Sequence, residues 1–341
     1  MNMLPVCCSL VKLRRRAGRL GMRVRHRILA LCLLLPACST FGFCNTPSPL
    51  DSAAFEGLYA NPLPKPAGAM RVFHLGHSLV SRDMPAMLQQ LAPQGHAYES
   101  QLGWGTTLQS HWEHESGGTS RIKGFAVENN HPRYRDAKVS LRGGQYDAFI
   151  MTEMVSLRDA IRYHASWDYV QRWARLAVEG NPNIRIYLYE TWHGLDEREG
   201  WLERLERDLG ELWEGEILRR AAAAPGQQRT IYLIPAGQVF ARLVRELDAR
   251  GGIGGLNRRE DLFARMPDGT QDTIHPNDIG AYVVALTHYA VLYQRSPVGL
   301  PYQLRRADGR PAVAPSAEAA RRIQEIVWEV VTSLPRTGVP M

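Results

Sequence analysis

The stretch MRVFHLGHSL at residues 70–79 contains the two features on which the interpretation of this chain depends. Its first part, residues 70–75, is a short apolar and β-prone run that predicts a buried strand. Gly76 then permits a tight turn, and Ser78 lies three residues beyond the end of the strand. A hydroxyl in that position is expected at the carboxyl end of the strand, where open α/β sheets bind their ligands.

Similar short apolar runs alternate with helical patterns along the rest of the chain. Predicted strands occupy 70–75, 97–102, 148–152, 184–190 and 230–235, and predicted helices occupy 84–91, 167–178, 201–222, 237–249, 277–293 and 317–334. The helical segments repeat their apolar residues every three or four positions. Alternation of this kind indicates an α/β protein with a parallel sheet that is covered by helices on both faces.

Two long polar stretches, 114–146 and 250–274, fit neither the strand pattern nor the helix pattern. Loops of this length usually carry function or are mobile. We therefore expect them to form walls of a substrate cleft at the carboxyl edge of the sheet.

The chain has 341 residues and a formal net charge of +7, but the positive charge is confined to its first part. Residues 1–37 contain eight Lys and Arg residues and neither Asp nor Glu, and removing those eight leaves 33 basic against 34 acidic residues. A duplex-binding protein needs clustered basic residues on its folded body. The composition therefore predicts no nucleic-acid partner.

All five cysteines lie within the first 44 residues of the chain. The body that follows therefore has no cysteine for a disulfide framework, a thiolate metal site or a cysteine nucleophile. His111 and His114 lack a second cluster of ligand residues at metal-binding spacing. We therefore expect neither a metal nor a cofactor.

The first 38 residues are predicted to be an export signal. A positive segment at 23–27 precedes an apolar run of eight residues at 28–35, which is too short to cross a bilayer core of about 30 Å. The sequence LPACS at 35–39 resembles a bacterial lipobox, in which the cysteine, here Cys38, becomes the lipidated first residue. The alternative is ordinary signal cleavage nearby, which would leave the protein in the periplasm or the medium.

Residues 39–69 follow the export signal and are rich in Pro, Ser, Gly and Ala. This composition predicts a linker, so that the folded domain occupies residues 70–341. Any contact with the membrane would then be made through the lipid anchor alone.

A second motif, near the C-terminus, supplies a candidate base for Ser78. DTIHPN at 272–277 places Asp272 three residues before His275, directly ahead of an amphipathic helix. Across one tight turn the carboxylate can bond to the imidazole and fix its tautomer, which is the orienting role of the acid in a catalytic triad. Taken singly, the same residues are equally typical of a turn with a surface histidine, and a serine after a strand is more often a helix cap.

Together, the two motifs resemble those of the SGNH, or GDSL-type, hydrolase family. GHSL at 76–79 matches the first block of that family, Gly-Asp-Ser-Leu, except that His77 replaces Asp, and DTIH at 272–275 matches its last block, Asp-x-x-His. The resemblance covers roughly residues 70–295. It implies a flavodoxin-like three-layer α/β/α sandwich with about five parallel strands. It also implies a triad in which Ser78 is the nucleophile and Asp272 and His275 complete the relay.

The two middle blocks of the family supply the oxyanion hole. In LGWGTT at 102–107 the resemblance selects Gly105, with Gly103 as the alternative, to donate its backbone N–H together with that of Ser78. The third block normally offers an Asn side chain, but this chain has Glu153 at the corresponding strand end. An ionised Glu cannot donate a hydrogen bond, so Glu153 must be protonated, serve elsewhere, or be replaced by another donor.

Trp192 and His193 follow the fourth predicted strand and are expected to border the cleft, where an aromatic ring could stack on a sugar. A packing Trp and a solvent-exposed His are an equally acceptable interpretation. With the export signal, these residues predict a bacterial periplasmic or membrane-anchored esterase that removes short acyl groups, acetyl above all, from a carbohydrate or another small ester. Two alternatives stay open, a periplasmic polysaccharide O-acyltransferase and a non-catalytic SGNH-fold binding or assembly protein.

Overall fold

The computed structural model describes residues 47–117, 120–226 and 229–340, and its centre is a five-stranded parallel sheet. The strands are β1 (Arg71–His77), β2 (Ala97–Gly103), β3 (Ala148–Met151), β4 (Arg185–Glu190) and β5 (Ile231–Pro235). Their spatial order is β2-β1-β3-β4-β5, which is the order of flavodoxin-like sheets. The five predicted strands are confirmed to within two residues at each end.

Helices cover both faces of this sheet. They are α1 (Ser52–Gly57), α2 (Asp83–Leu91), α3 (Leu108–Glu113), α4 (Phe125–Glu128), α5 (Ala137–Arg142), α6 (Leu157–His164), α7 (Ser166–Gly180), α8 (Trp201–Asp208), α9 (Arg219–Ala223), α10 (Ala236–Arg250), α11 (Asp278–Tyr293) and α12 (Ala317–Ser333). A π-helical segment, Leu209–Leu218, joins α8 to α9. Helices α2, α10, α11 and α12 pack together in one layer, and α3, α5, α7 and α9 pack in the other. The predicted three-layer α/β/α sandwich is confirmed.

Burial explains why the strands could be recognised as nearly continuous apolar runs. Every residue of β1 except Arg71 is buried, and β3 and β5 are buried throughout, as expected for parallel strands covered on both faces. Helix α11 is buried over all but one of its sixteen residues. Because α11 starts directly after the DTIHPN motif, its packing fixes the position of that motif.

The stretch 250–274, expected to be a loop, contains a short 3₁₀ helix (Arg259–Leu262) and most of an antiparallel hairpin. The hairpin strands are β6 (Phe263–Arg265) and β7 (Gln271–Pro276). All six residues of β7 are half-buried, so β7 lacks the alternation of buried and exposed residues by which a strand is normally recognised. The stretch 114–146 likewise contains two short helices, α4 and α5.

The segment 39–69, expected to be a linker, is described from residue 47 onward, and there it packs on the folded body. Phe55 on α1 is fully buried, and the Arg336 guanidinium lies 4.6 Å from the centre of its ring. The Tyr59 hydroxyl donates a 2.8 Å hydrogen bond to the carbonyl of Ile231 at the start of β5. The folded body therefore begins before residue 70.

The predicted export signal, residues 1–38 with Cys38, lies outside the described residues. Within the three described ranges, the helices include none that combines the length and the apolar character needed to cross a bilayer.

A buried imidazole inside the sheet makes the stability of this fold dependent on pH. His74 on β1 is fully buried, and neither of its ring nitrogens has a hydrogen-bond partner in the described residues. Burial lowers the pKa of His74 well below its ordinary value of 6.5, and the nearby imidazoles of His288 and His96 lower it further. As the pH falls below about 6.5, His74 therefore binds a proton in the unfolded chain but stays neutral in the folded chain.

The substitution His74→Leu should protect the fold against acid. The free energy of unfolding of the wild-type protein should fall as the pH drops below 6.5, by about 1.4 kcal/mol per pH unit for a single histidine that stays neutral. The variant lacks this contribution, so its loss between pH 7.5 and 5.0 should be smaller by about 2 kcal/mol. Urea unfolding at both pH values measures the difference.

The matched control is Leu286→Met on α11, which changes core packing by a volume-conserving swap and removes no titratable group. Its free energy of unfolding should fall between pH 7.5 and pH 5.0 by the same amount as that of the wild type. If the free energy of unfolding of His74→Leu also falls by that amount, the buried imidazole is not a source of acid sensitivity.

Candidate active site

The turn that follows β1 is held in place by two neutral histidines. His77 is fully buried, donates from Nε2 to the carbonyl of Glu153 at 2.8 Å, and accepts at Nδ1 from the N–H of Leu79 at 3.3 Å. Burial lowers the pKa of His77 to about 4. The ring is therefore neutral at physiological pH and can both donate and accept. His77 thus connects the turn that carries Ser78 to the end of β3.

The second histidine, His111, approaches the same turn from helix α3. It donates from Nε2 to the carbonyl of Gly76 at 2.8 Å, and its Nδ1 lies 3.0 Å from Nε2 of Gln101. Burial lowers the pKa of His111 to about 4, which keeps this imidazole neutral as well. A Cβ atom on Gly76 would lie 2.6 Å from the Thr152 methyl group, so only glycine fits between β1 and the end of β3.

The hairpin strand β7 brings the acid and the base to the same edge of the sheet. Asp272 Oδ2 lies 2.8 Å from His275 Nδ1, and His275 Nε2 lies 3.0 Å from Ser78 Oγ. With Nδ1–H donating to the carboxylate, Nε2 is free to accept the serine proton. The structure therefore brings Ser78, His275 and Asp272 together, although 197 positions separate the serine from the histidine.

Asp272 is held in its charged form by local hydrogen bonds. Burial opposes its ionisation, but donation from the backbone N–H groups of His275 and Ile274 and from the His275 ring outweighs burial and lowers the pKa of the carboxyl group. Both backbone bonds are 2.9 Å long. The His275 side chain is 44% exposed and that of Asp272 is 14% exposed, so the base is open to solvent while the acid is sheltered.

Ser78 and His275 lie in a cavity of about 1030 Å³. Gly105 lines this cavity with a left-handed φ of +55°. The backbone N–H groups of Ser78 and Gly105 donate to no acceptor in the described part of the chain, which leaves both available to a ligand. Gly103 lies in strand β2, where a Cβ would be 2.2 Å from the Thr106 hydroxyl, and it does not line the cavity.

Glu153 is fully buried and does not line the cavity. Its Oε1 accepts hydrogen bonds from the backbone N–H groups of Leu108 (3.2 Å) and Met154 (2.9 Å). Leu108 is the first residue of α3, so the carboxyl group binds the start of that helix. Burial raises the pKa of Glu153 to about 7, although hydrogen bonds from Met154, Ser166 and Leu108 act in the opposite direction. The sequence left open whether Glu153 is a protonated donor, serves elsewhere or is replaced by another donor. In the structure its side chain serves elsewhere, at the start of α3 and outside the cavity.

Trp192 and His193 do not border the cavity, contrary to expectation. Trp192 is only 1% exposed, packs against Phe240 with ring centres 4.6 Å apart, and donates from its indole N–H to the carbonyl of Ile274 at 2.8 Å. His193 is buried, with Nε2 3.1 Å from a carboxylate oxygen of Asp208. The β6–β7 hairpin packs on the segment that follows β4, so Trp192 supports strand β7 and has no exposed ring face for a ligand.

The aromatic side chain that does line the cavity is Trp104, one of several aromatic residues that the sequence places in loops at strand ends. It is 42% exposed, and its indole N–H donates to a Glu128 carboxylate oxygen at 2.6 Å. Its position next to Gly105, after β2, was the available signal. Among the described residues no group of three or more His, Cys, Asp or Glu side chains is arranged to hold a metal ion.

Comparison with known proteins gives no matching family model and no matching curated protein. Among solved structures, the chain is similar to a DUF4886 family protein from Bacteroides uniformis, with 14% sequence identity and a TM-score of 0.46 over 77% of this chain and 95% of that one. It is also similar to a gut microbial diltiazem-metabolizing enzyme, with 13% identity and a TM-score of 0.33 over 68% of this chain and 49% of that one. Neither similarity is close enough to assign a family or an activity.

The substitution Glu153→Gln tests the role of the buried carboxyl group. In the wild type, the stability contributed by protonated Glu153 is complete below pH 4.5 and is lost as the pH rises through about 7. The amide oxygen can still accept from Leu108 and Met154 but does not ionise. The melting temperature of the variant, relative to that of the wild type, should therefore rise between pH 5 and pH 9.

Hydrolytic activity of Glu153→Gln at pH 7 should stay within a few-fold of the wild type, because the side chain does not reach the cavity. The comparison variant is Glu153→Ala, which leaves two buried N–H donors without an acceptor and should cost about 1–3 kcal/mol each. A fall in turnover of 100-fold or more in a folded Gln variant would instead place Glu153 in the reaction.

Proposed function

We propose that this protein is a serine hydrolase that cleaves ester bonds. The observation that carries the proposal is the continuous relay from Ser78 Oγ to His275 Nε2 (3.0 Å) and from His275 Nδ1 to Asp272 Oδ2 (2.8 Å), inside an open cavity. A serine hydroxyl needs an adjacent base to become a nucleophile, and the base needs a third group to orient it. In this proposal Ser78 is the nucleophile, His275 is the base and Asp272 is the group that orients the base.

In the proposed reaction, His275 Nε2 takes the proton of Ser78 as Oγ attacks the carbonyl carbon of the ester. The negative charge that develops on the carbonyl oxygen is received by the free N–H groups of Ser78 and Gly105. His275 then returns the proton to the departing alcohol, leaving an acyl group on Ser78. A water molecule, deprotonated by the same imidazole, attacks the acyl carbonyl carbon, and the imidazole then returns the proton to Ser78 Oγ as the acid is released. Asp272 stays ionised and stabilises the imidazolium in both steps.

The geometry of Glu153 weakens the case for a non-catalytic protein. The sequence supported that alternative because Glu153 replaces an oxyanion-binding Asn. The carboxyl group instead binds the start of α3, and Val155, two residues further on, lines the cavity. The oxyanion hole of this protein would then consist of backbone donors. Losing one side-chain donor typically costs about 10²–10³ in turnover, which lowers activity and does not abolish it.

The character of the cavity supports a short acyl ester on a carbohydrate as the substrate. Trp104 offers an exposed ring face beside Gly105, and rings of this kind suit the apolar faces of sugars. The same cavity is lined by the charged residues Lys123, Arg265 and Asp83, which a long aliphatic chain would have to desolvate. Export to the periplasm, with or without a lipid on Cys38, is part of the proposal and agrees with an envelope or extracellular carbohydrate.

An O-acyltransferase is the second candidate, because the same acyl-enzyme can pass its acyl group to a sugar hydroxyl. A second cavity of about 1010 Å³ shares four lining residues with the first, and it offers room for an acceptor. Product analysis separates the two activities. Free acetate as the main product in the presence of added glycan supports the hydrolase, whereas transfer of most acyl groups to the glycan supports the transferase.

The substitution Ser78→Ala should abolish ester hydrolysis, with a loss of at least about 10⁴-fold in kcat, and His275→Ala should do nearly the same because triad residues act as a unit. A fluorophosphonate probe should label the wild type at Ser78 and should not label the alanine variant. Hydrolysis of nitrophenyl acetate and mass spectrometry of the labelled peptide measure both effects.

The matched control is Ser333→Ala at the end of α12. Ser333 is exposed, and its hydroxyl donates to the carbonyl of Val330 and takes no part in the relay. The variant should retain wild-type turnover and labelling. Wild-type turnover by Ser78→Ala on any ester that the protein cleaves would show that the triad assignment is wrong.

The chain length of the acyl group gives an independent test of the substrate. In a series of nitrophenyl esters, kcat/KM should be highest for acetate or propionate and should fall for chains of eight carbons or more, because the charged lining opposes burial of a long chain. Acetylated xylan, pectin and peptidoglycan serve as natural counterparts, with released acetate as the readout. Preference for long chains together with no acetate release from any glycan would favour a lipase.

A further inference from the structure

The second cavity lies directly beside the one that contains Ser78 and His275. The two cavities share Ser81, Asp83, Glu128 and Arg306 among their lining residues, and the second has a volume of about 1010 Å³. The two cavities are therefore adjacent. A substrate that fills both cavities must be extended, and the group that enters the second cavity must match its chemistry.

Three arginines line the second cavity without a carboxylate partner in the described residues: Arg82, Arg133 and Arg305. Arg82 and Arg305 donate to backbone carbonyls, and Arg133 donates to the side-chain oxygen of Gln89. Neutral acceptors position a guanidinium without cancelling its charge. On the outer surface, by contrast, Arg322 alone contacts three carboxylates. The positive charge of the three arginines is therefore available to a ligand.

Two of these arginines are held in position. The Arg133 guanidinium lies over the ring of Tyr98, 5.0 Å from its centre, and Tyr98 itself is buried and lines the cavity. The backbone of Arg305 exchanges two hydrogen bonds of 2.8 and 2.9 Å with the side chain of Gln90. Less side-chain and loop freedom is then lost when a ligand binds.

Three acidic residues also line the second cavity: Asp83, Glu128 and Asp308. Asp83 and Glu128 line both cavities and therefore mark the junction between them, whereas Arg133 and Arg305 line the second cavity alone. Asp308, which also lines the second cavity, forms an ion pair with Arg310 at 2.7 Å. Among the residues that line only the second cavity, three arginines therefore face a single carboxylate, which is already paired.

We propose that the second cavity is a subsite for an anionic group, a carboxylate or a phosphate, on an extended ester substrate. Arg133 and Arg305 would bind the anion through their guanidinium forks, whose geometry matches both groups. The ester would meanwhile lie against Ser78. This inference rests on the proposed esterase activity and narrows its substrate class to esters of acidic carbohydrates, such as uronates or phosphorylated sugars.

The first test measures binding and needs no catalysis. Calorimetry on the Ser78→Ala protein should show tighter binding of trigalacturonate or glucose 6-phosphate than of neutral xylotriose. The affinity for the anion should fall at least tenfold on adding Arg133→Gln or Arg305→Gln and should weaken in 0.5 M NaCl. The stronger of the two anions identifies carboxylate or phosphate as the natural group. Equal affinity for the anions and xylotriose would overturn the subsite.

The second test measures the preference in turnover. The ratio of kcat/KM for acetylated trigalacturonate to that for acetylated xylotriose should exceed one and should fall at least tenfold in Arg133→Gln and Arg305→Gln, mainly through KM. Arg133→Lys, which keeps the charge, should restore part of the ratio. The control is Arg321→Gln, an exposed arginine of α12 paired with Glu325, which should leave the ratio unaltered.

The outcomes separate the two proposals. If esters are cleaved through Ser78 but the arginine variants leave the ratio at the wild-type value, the subsite is wrong and the esterase stands. If the anion binds through Arg133 and Arg305 while no ester is cleaved and Ser78 is not labelled, the binding site stands and the esterase is wrong. Melting temperatures of Arg133→Gln and Arg305→Gln confirm that both variants are folded.

Discussion

The hydrogen bond from His77 Nε2 to the carbonyl of Glu153 joins the ends of β1 and β3, and the geometry of the whole site depends on it. These two strands are neighbours at the point where the sheet order changes direction, which is where open α/β sheets place their ligands. A carboxylate at position 77, as in the Gly-Asp-Ser-Leu block, could only accept hydrogen bonds. A neutral imidazole both accepts from Leu79 N–H and donates to the carbonyl of β3, so it can fix the serine turn between two strands.

Burial keeps several titratable side chains in and around the sheet uncharged. The pKa of His77, His111 and His288 is lowered to about 4 by burial, and burial raises the pKa of Glu153 to about 7 and that of Glu190 to about 8. The histidines favour the unfolded state as the pH falls below 6.5, whereas the two carboxyl groups favour it as the pH rises through 7 to 8. The fold should therefore be most stable close to neutrality. Asp272 is the exception, since backbone hydrogen bonds keep it ionised next to His275.

Comparison of the predicted and observed positions of individual residues shows which structural features a sequence pattern can reveal. The five strands could be predicted because parallel strands are buried on both faces and appear as apolar runs. Strand β7 could not, since all its residues are half-buried. It is positioned by hydrogen bonds to Leu195 and Trp192, which lie in a distant part of the chain. For Trp192, the rule that strand ends face the ligand was misleading because the hairpin packs on the segment that follows that strand. For Glu153, the sequence showed that a Glu stands where the family has an Asn. It could not show that the carboxyl group binds the start of α3, because that helix is close to Glu153 in space but not along the chain.

The sequence by itself determined the order of the five sheet strands and of the longer helices, and the identities of the residues that could form a relay. Both can be predicted from local sequence patterns, namely apolar periodicity over a few residues and short motifs whose members lie within one turn of each other. Tertiary structure alone decided that Ser78 Oγ and His275 Nε2 lie 3.0 Å apart, that Trp104 and not Trp192 lines the cavity, and that a second cavity with three arginines in its lining lies beside the first. Distances, burial and cavities depend on how segments remote in the chain pack against one another, and packing of that kind leaves no periodic trace in a single sequence.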